Sequence, residues 1–188
     1  MNKLSLNIPT SIWFCGLSGA GKTTISRELK LLIECRSHSG VVLLDGDELV
    51  ELFSLKNVAR SEEARTERVQ KYLKLVGILL QTPNIIPVVV MINHSQKLRS
   101  MLKDSSLSGK YFEVFVNTSI DTCKNRDPKG HYQKAQNHES PQMIGLDLPF
   151  DIPENPDVEI IENLSPEESA DLIFHELCEK GIFKLGPK

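Results

Sequence analysis

The chain has 188 residues, 40 % of them hydrophobic, and a formal net charge of −3. That is enough apolar material for a real core, and the charge balance argues against a polynucleotide or an anionic bilayer as partner. No stretch approaches the roughly 18 to 20 apolar residues that cross a membrane, and Cys15, Cys35, Cys123 and Cys178 lack the paired spacing of a zinc site. The expectation is a single domain over residues 1–188, cytoplasmic, with four reduced and mostly buried thiols.

In chain order, an apolar run at 11–15 reads as a strand and leads straight into Gly16, Leu17, Ser18, Gly19, Ala20, Gly21, Lys22 and Thr23, after which 23–37 reads as a helix. Two glycines five positions apart, then lysine and a hydroxyl residue between strand and helix, form a phosphate-binding loop. Its backbone amides and the helix N-terminus face the phosphates, Lys22 reaches the β- and γ-phosphates, and Thr23 holds Mg²⁺. A second strand at 41–44 delivers Asp45, Gly46 and Asp47 to the same edge of the sheet. There a carboxylate serves a metal or takes a hydroxyl proton, and the plainer alternative is that Asp45 or Asp47 caps the next helix. Residues 65–81 read as a helix on which Arg65, Arg68, Lys71 and Lys74 follow Arg60; Glu62, Glu63 and Glu67 are interleaved, so an ion-paired, solvated face is the plainer reading beside an anion site.

The third strand, 86–92, ends at Asn93 rather than at an acid, leaving Asp45 and Asp47 as the better metal or base candidates. Helix 95–103, strand 111–116 and helix 120–125 follow. The segment 127–157 is polar, rich in Pro and His, and long for a connection, which suggests a lid. His94, His131 and His138 are too dispersed for a metal site. A last strand at 158–161 precedes a helix whose start is marked by Ser165, Pro166 and Glu168 and which runs to about Lys180. Alternating strands and helices of this kind give the α/β class, a parallel five-stranded sheet sandwiched by helices; together with the phosphate-binding loop and the lid loop, the expectation is a P-loop kinase fold.

Several segments carry a family resemblance: Trp13 through Thr24, Leu44 through Asp47, Phe112 through Val116, Arg126 through Gly130 with Tyr132, Lys134 and Ala135, and Gly145 through Asp147 with Pro149, Phe150 and Pro153. In these the chain resembles the adenylylsulfate kinases, from Ile12 to the final helix. The resemblance implies transfer of the γ-phosphate of ATP, with Mg²⁺, to the ribose 3′-hydroxyl of adenylyl sulfate by a homodimer. It places Thr24 with the ATP loop, Asp45 near the metal, Asp47 near the accepting hydroxyl, and Arg126 and Lys129 near the phosphates, in a lid at about 127–147.

The departures from the family lie on the acceptor side. Where members carry Asn and then Arg after the Asp-Gly-Asp motif, this chain has Glu48 and Val50. Arg60 and Met143 align with the two phenylalanines that pack on the substrate adenine. Arg65 keeps a substrate arginine, Arg68 replaces an asparagine, and Asn93, His94 and Ser95 replace Ser-Pro-aromatic. With Arg60, Arg65, Arg68, Asn93 and Met143 as acceptor-binding candidates, the expected acceptor is a pyrimidine nucleotide with an activated anionic group, such as cytidine diphosphoramidate of surface-polysaccharide modification. The alternatives are a genuine adenylylsulfate kinase of sulfate assimilation and, in another class, a non-catalytic nucleotide-binding regulator.

Overall fold

The structure is a computed structural model that describes residues 3–53, 61–137 and 142–185. Five strands, β2 (Ser11–Cys15), β3 (Gly40–Asp45), β4 (Ile85–Val90), β5 (Tyr111–Asn117) and β6 (Val158–Ile161), form one sheet in the order β3-β4-β2-β5-β6. Every neighbouring pair is parallel, with Phe14 facing Val90 on one side and Val114 on the other. All five residues of the central strand β2 are buried, as a parallel sheet covered on both faces requires.

Alternation along the strands divides the core in two. Ile12, Phe14, Val88 and Val114 face Leu29 and Ile33 of helix α1 (Lys22–Arg36) and Ile173 and Leu177 of α7 (Pro166–Glu179). Trp13, Leu44 and Val89 face Val69, Tyr72 and Val76 of α3 (Glu62–Leu79) and Leu98 and Leu102 of α4 (Gln96–Lys103). Period two in the strands thus meets period 3.6 in the helices, and each face buries one apolar stripe. None of these helices, among the described residues, is long and apolar enough to cross a membrane.

The sheet and the α7 start agree with the sequence expectation; Ser165 and Glu168 form a full capping box. Other details differ. Strand β4 stops at Val90 because the chain turns through Asn93 in a left-handed conformation, φ 43°. Helix α3 starts three residues early, since the Ser61 hydroxyl accepts from the Ala64 amide and sets the first turn. Helix α2 (Gly46–Leu52), which the sequence reading raised only as a helix that Asp45 or Asp47 would cap and gave no bounds, begins where Asp45 caps it. The segment 127–157 is not all loop: it holds α6 (His131–Gln136), after α5 (Ile120–Arg126). An antiparallel ribbon of β1 (Leu4–Leu6) and β7 (Phe183–Leu185) was also unanticipated. Of the four thiols, Cys15 and Cys123 are buried, but Cys35 is exposed on α1.

Candidate functional site

The loop between β2 and α1 is held by close backbone approach on both sides. Gly16 (φ 143°) donates its amide to the Ile92 carbonyl at 3.2 Å, and a Cβ there would lie 2.6 Å from the Val116 carbonyl oxygen. At Gly19 (φ 76°) the same addition would meet the Cys123 carbonyl at 3.0 Å. Only glycine fits either place without moving backbone. The Tyr132 hydroxyl donates to the Ser18 carbonyl at 3.0 Å and the Thr118 hydroxyl to the Ala20 carbonyl at 2.9 Å, so the loop's carbonyls are tied away by neighbouring elements. Helix α1 starts at Gly21 with no side-chain cap and no acid in its first turn, which leaves its positive end for an anion.

Lys22 is buried and donates from Nζ to the Gly16 and Leu17 carbonyls at 2.9 and 2.7 Å. Burial lowers its pKa to about 8, against the opposing pull of Asp45. Beside it Thr23 Oγ1 donates to Asp45 Oδ2 at 2.9 Å, while Asp45 Oδ1 accepts the Asp47 amide at 3.0 Å. Asp45 is therefore both the cap of α2 and the partner of Thr23. A hydroxyl and a carboxylate together at the loop are hard oxygen donors of the kind that hold Mg²⁺ alongside phosphate oxygens. Asp47, one residue into α2, forms an ion pair with Lys129, which raises the lysine's pKa. A Cβ at Gly21 would lie 3.9 Å from Arg126 Nη1, so that guanidinium flanks the loop.

One cavity of about 930 Å³ runs from loop residues 18–24 past Asp45 and Asp47 to Val50, Arg65, Arg68, Asn93 and Met143, with Arg126 and Lys129 on its rim. Gly16 and Leu17 form the loop's stem behind it. The structure thus gathers the expected residues on one cleft at the carboxyl ends of β2, β3 and β4; Arg60 lies outside the described residues. Arg65 Nη2 donates to the Gln142 carbonyl at 3.3 Å and Arg68 Nε to the Ala64 carbonyl at 3.4 Å. Met143 is buried, its amide held by Asp147 Oδ2 at 2.8 Å. Among the described lining residues Tyr72 is the only Phe, Tyr or Trp; its hydroxyl donates to the Gly46 carbonyl at 3.3 Å and its ring stacks on Phe53 at 6.1 Å. Burial pushes that phenol up to about 12. His94 also lines the cleft, its pKa lowered by burial and by Arg65.

Thr118 and Gln142 had no role in the sequence reading, Tyr132 was noted only as part of a motif, and His94 only as part of the acceptor-side departure after β4 and as too dispersed from the other histidines for a metal. Thr118 stands just past the end of β5, at the sheet edge where such residues collect, so its position was a usable signal. Gln142 contributes a backbone carbonyl, which no side-chain pattern marks.

A family model described as adenylylsulphate kinase matches residues 8–161. An adenylyl-sulfate kinase of Halothermothrix orenii is 34 % identical over 176 residues, covering 93 % of this chain and 92 % of that protein. One from Pseudomonas aeruginosa is 37 % identical over 153 residues, covering 81 % and 76 %. Among solved structures, the Mycobacterium tuberculosis APS kinase in complex with AMPPNP and APS superposes with a TM-score of 0.83 at 28 % identity, covering 89 % of this chain and 96 % of that one. This chain accordingly belongs to the adenylylsulfate kinase family and is a kinase, a phosphotransferase that uses ATP with Mg²⁺ and acts on a hydroxyl group.

Proposed function

We propose that this kinase transfers the γ-phosphate of ATP to the ribose 3′-hydroxyl of a pyrimidine nucleotide bearing an activated anionic group, such as cytidine diphosphoramidate in surface-polysaccharide modification. The observation that carries the reading is the wall of the acceptor half of the cleft. Tyr72 is its one Phe, Tyr or Trp ring among the described residues, with its hydroxyl and one face already engaged, and segments 54–60 and 138–141 contain no Phe, Tyr or Trp. A purine is best held between flat rings; Met143 and an arginine at position 60 adapt to smaller or irregular shapes.

In this reading Lys22 leaves the two loop carbonyls for the β- and γ-phosphates, Arg126 adds charge from the end of α5 and Lys129 from the lid, residues 127–147 of a single domain. Thr23 and Asp45 hold Mg²⁺, which supplies neutralisation of phosphate charge. Asp47, once Lys129 has turned to the phosphates, orients the 3′-hydroxyl and accepts its proton. Arg65 and Arg68 hold the acceptor's anionic end, and the absence of an arginine at Val50 shifts that end toward α3. The enzyme works as a cytoplasmic homodimer, for which the elution mass in solution is the check.

The names of the relatives at 34 to 37 % identity favour a second reading, adenylyl sulfate as acceptor. Initial rates with ATP and Mg²⁺ decide between them. We expect kcat/KM for cytidine diphosphoramidate or another cytidine or uridine diphosphate derivative to exceed that for adenylyl sulfate by about tenfold or more. An advantage of that size for adenylyl sulfate overturns the pyrimidine reading and leaves the kinase intact.

A further inference from the structure

Where β4 ends, the chain turns through Asn93, whose φ of 43° suits Asn, Asp or Gly and few other residues. The turn is clamped from behind. Arg99, 1 % exposed, donates from Nη1 to the Asn93 carbonyl at 3.0 Å and from Nη2 to Gln96 Oε1 at 2.8 Å, and its Nε lies 3.5 Å from Glu113 Oε1. Lys103 Nζ completes the charge balance at 2.9 Å from Glu113 Oε2. The buried Arg99–Glu113 pair, joined from the surface by Lys103, fixes the backbone of Asn93 without engaging its side chain.

The side chain is 3 % exposed, it lines the cleft, and among the described residues neither Nδ2 nor Oδ1 has a hydrogen-bond partner. Two unpaired polar atoms on one buried amide are costly, and a fold that clamps such a residue into a left-handed turn gains nothing from it in stability. A ligand that silences both atoms must offer one acceptor and one donor. The anionic end of the substrate fits poorly, because phosphate and sulfate oxygens satisfy Nδ2 but face Oδ1 with like polarity, and Arg65 and Arg68 already provide cations in the same cleft.

Resting on the kinase reading above, we infer that Asn93 is a specificity-determining residue for the nucleoside of the acceptor, its amide pairing with a neutral group that both donates and accepts. Two parts of a nucleoside have that chemistry: an amino-bearing base edge, which an Asn amide meets with two parallel hydrogen bonds, and the ribose 2′-hydroxyl beside the accepting 3′-hydroxyl. Arg99 acts through Asn93 as a positioning residue.

The test is the affinity of protein saturated with AMPPNP and Mg²⁺ for cytidine diphosphate and adenylyl sulfate, each also as its 2′-deoxy and its amino-N-methylated form. The protein is compared with Asn93→Gly and Asn93→Asp, both of which accept the left-handed turn. Asn93→Gly should weaken the better-bound natural nucleotide by about tenfold or more, leave AMPPNP affinity within about twofold, and leave the unfolding temperature undiminished, since it removes two unpaired atoms from the free protein. Asn93→Asp, which keeps an acceptor and loses the donor, should lose affinity as well. The modified analogue that is weak against wild type but equal to its parent against Asn93→Gly identifies the partner, base edge or 2′-hydroxyl; either assigns the residue to the nucleoside. Unchanged nucleotide affinity in Asn93→Gly, as for an amide that only holds a structural water, overturns the inference, as does a loss indifferent to both modifications. Failure of wild type to bind any of these nucleotides overturns the acceptor reading itself along with it.

Discussion

The two halves of the cleft are built on different principles. On the ATP side, backbone does the work: Gly16 and Gly19 pass against carbonyls of β5 and α5, the loop's own carbonyls are tied to Thr118, Tyr132 and Lys22, and α1 presents an uncapped end. On the side proposed for the acceptor, the cleft is lined by side chains on separate elements: Val50 on α2, Arg65 and Arg68 on α3, Asn93 after β4 and Met143 in the connection to β6. A backbone cradle tolerates almost no substitution, whereas a pocket of separate side chains can change its ligand one residue at a time. On the proposed reading, family identity is therefore concentrated in the first half and the choice of acceptor in the second.

The sharpest way to break that division is at Lys22. Lys22→Ala should lower kcat by about a thousandfold or more with any acceptor, because a phosphate clamp acts chiefly on the transition state. Near-normal turnover in a steady-state assay contradicts the assignment of this loop. Asp47→Asn keeps shape and removes the carboxylate; about a hundredfold loss of kcat with ATP affinity retained is expected, measured by single-turnover rates and by calorimetry. If ATP affinity collapses instead while transfer at saturation is normal, Asp47 belongs to the ATP half.

A smaller effect comes from the buried amine of Lys22. Its pKa is about 8 in the folded protein without nucleotide, against an ordinary 10.5. A lowered lysine pKa means that the unfolded chain binds the extra proton between those values, so stability of the nucleotide-free protein rises from about pH 8 toward 10.5. Bound phosphate requires the ammonium form, so ATP affinity falls as pH rises through about 8, by at most about tenfold per unit. Lys22→Arg, charged throughout, should flatten both profiles; calorimetric titrations between pH 7 and 9.5 check it.

The same division governed what could be read from the sequence. Residues 16–23 announce their geometry because left-handed glycines and a lysine at fixed spacing have few other uses, and Asp45 and Asp47 followed from their place at the end of β3. The capping role of Asp45 was weighed only as an alternative to metal binding; in the fold one oxygen of the carboxylate caps α2 while the other is bonded to Thr23. The extent of helix α2 was hidden because seven residues give too little periodicity, and the β1–β7 ribbon because its strands are three residues long and far apart in sequence. The unpaired amide of Asn93 depends on which neighbours fail to reach it, and no local pattern encodes that.

The most direct test of the central claim, that a retained ATP half is joined to an altered acceptor half, is to rebuild the acceptor side alone. In the variant Val50→Arg, Arg68→Asn, Met143→Phe, we predict that the ratio of kcat/KM for adenylyl sulfate to that for the best pyrimidine nucleotide rises by about tenfold or more while KM for ATP stays within about twofold. An unmoved ratio in a folded variant, or a loss of ATP binding equal to the change in acceptor preference, contradicts the account.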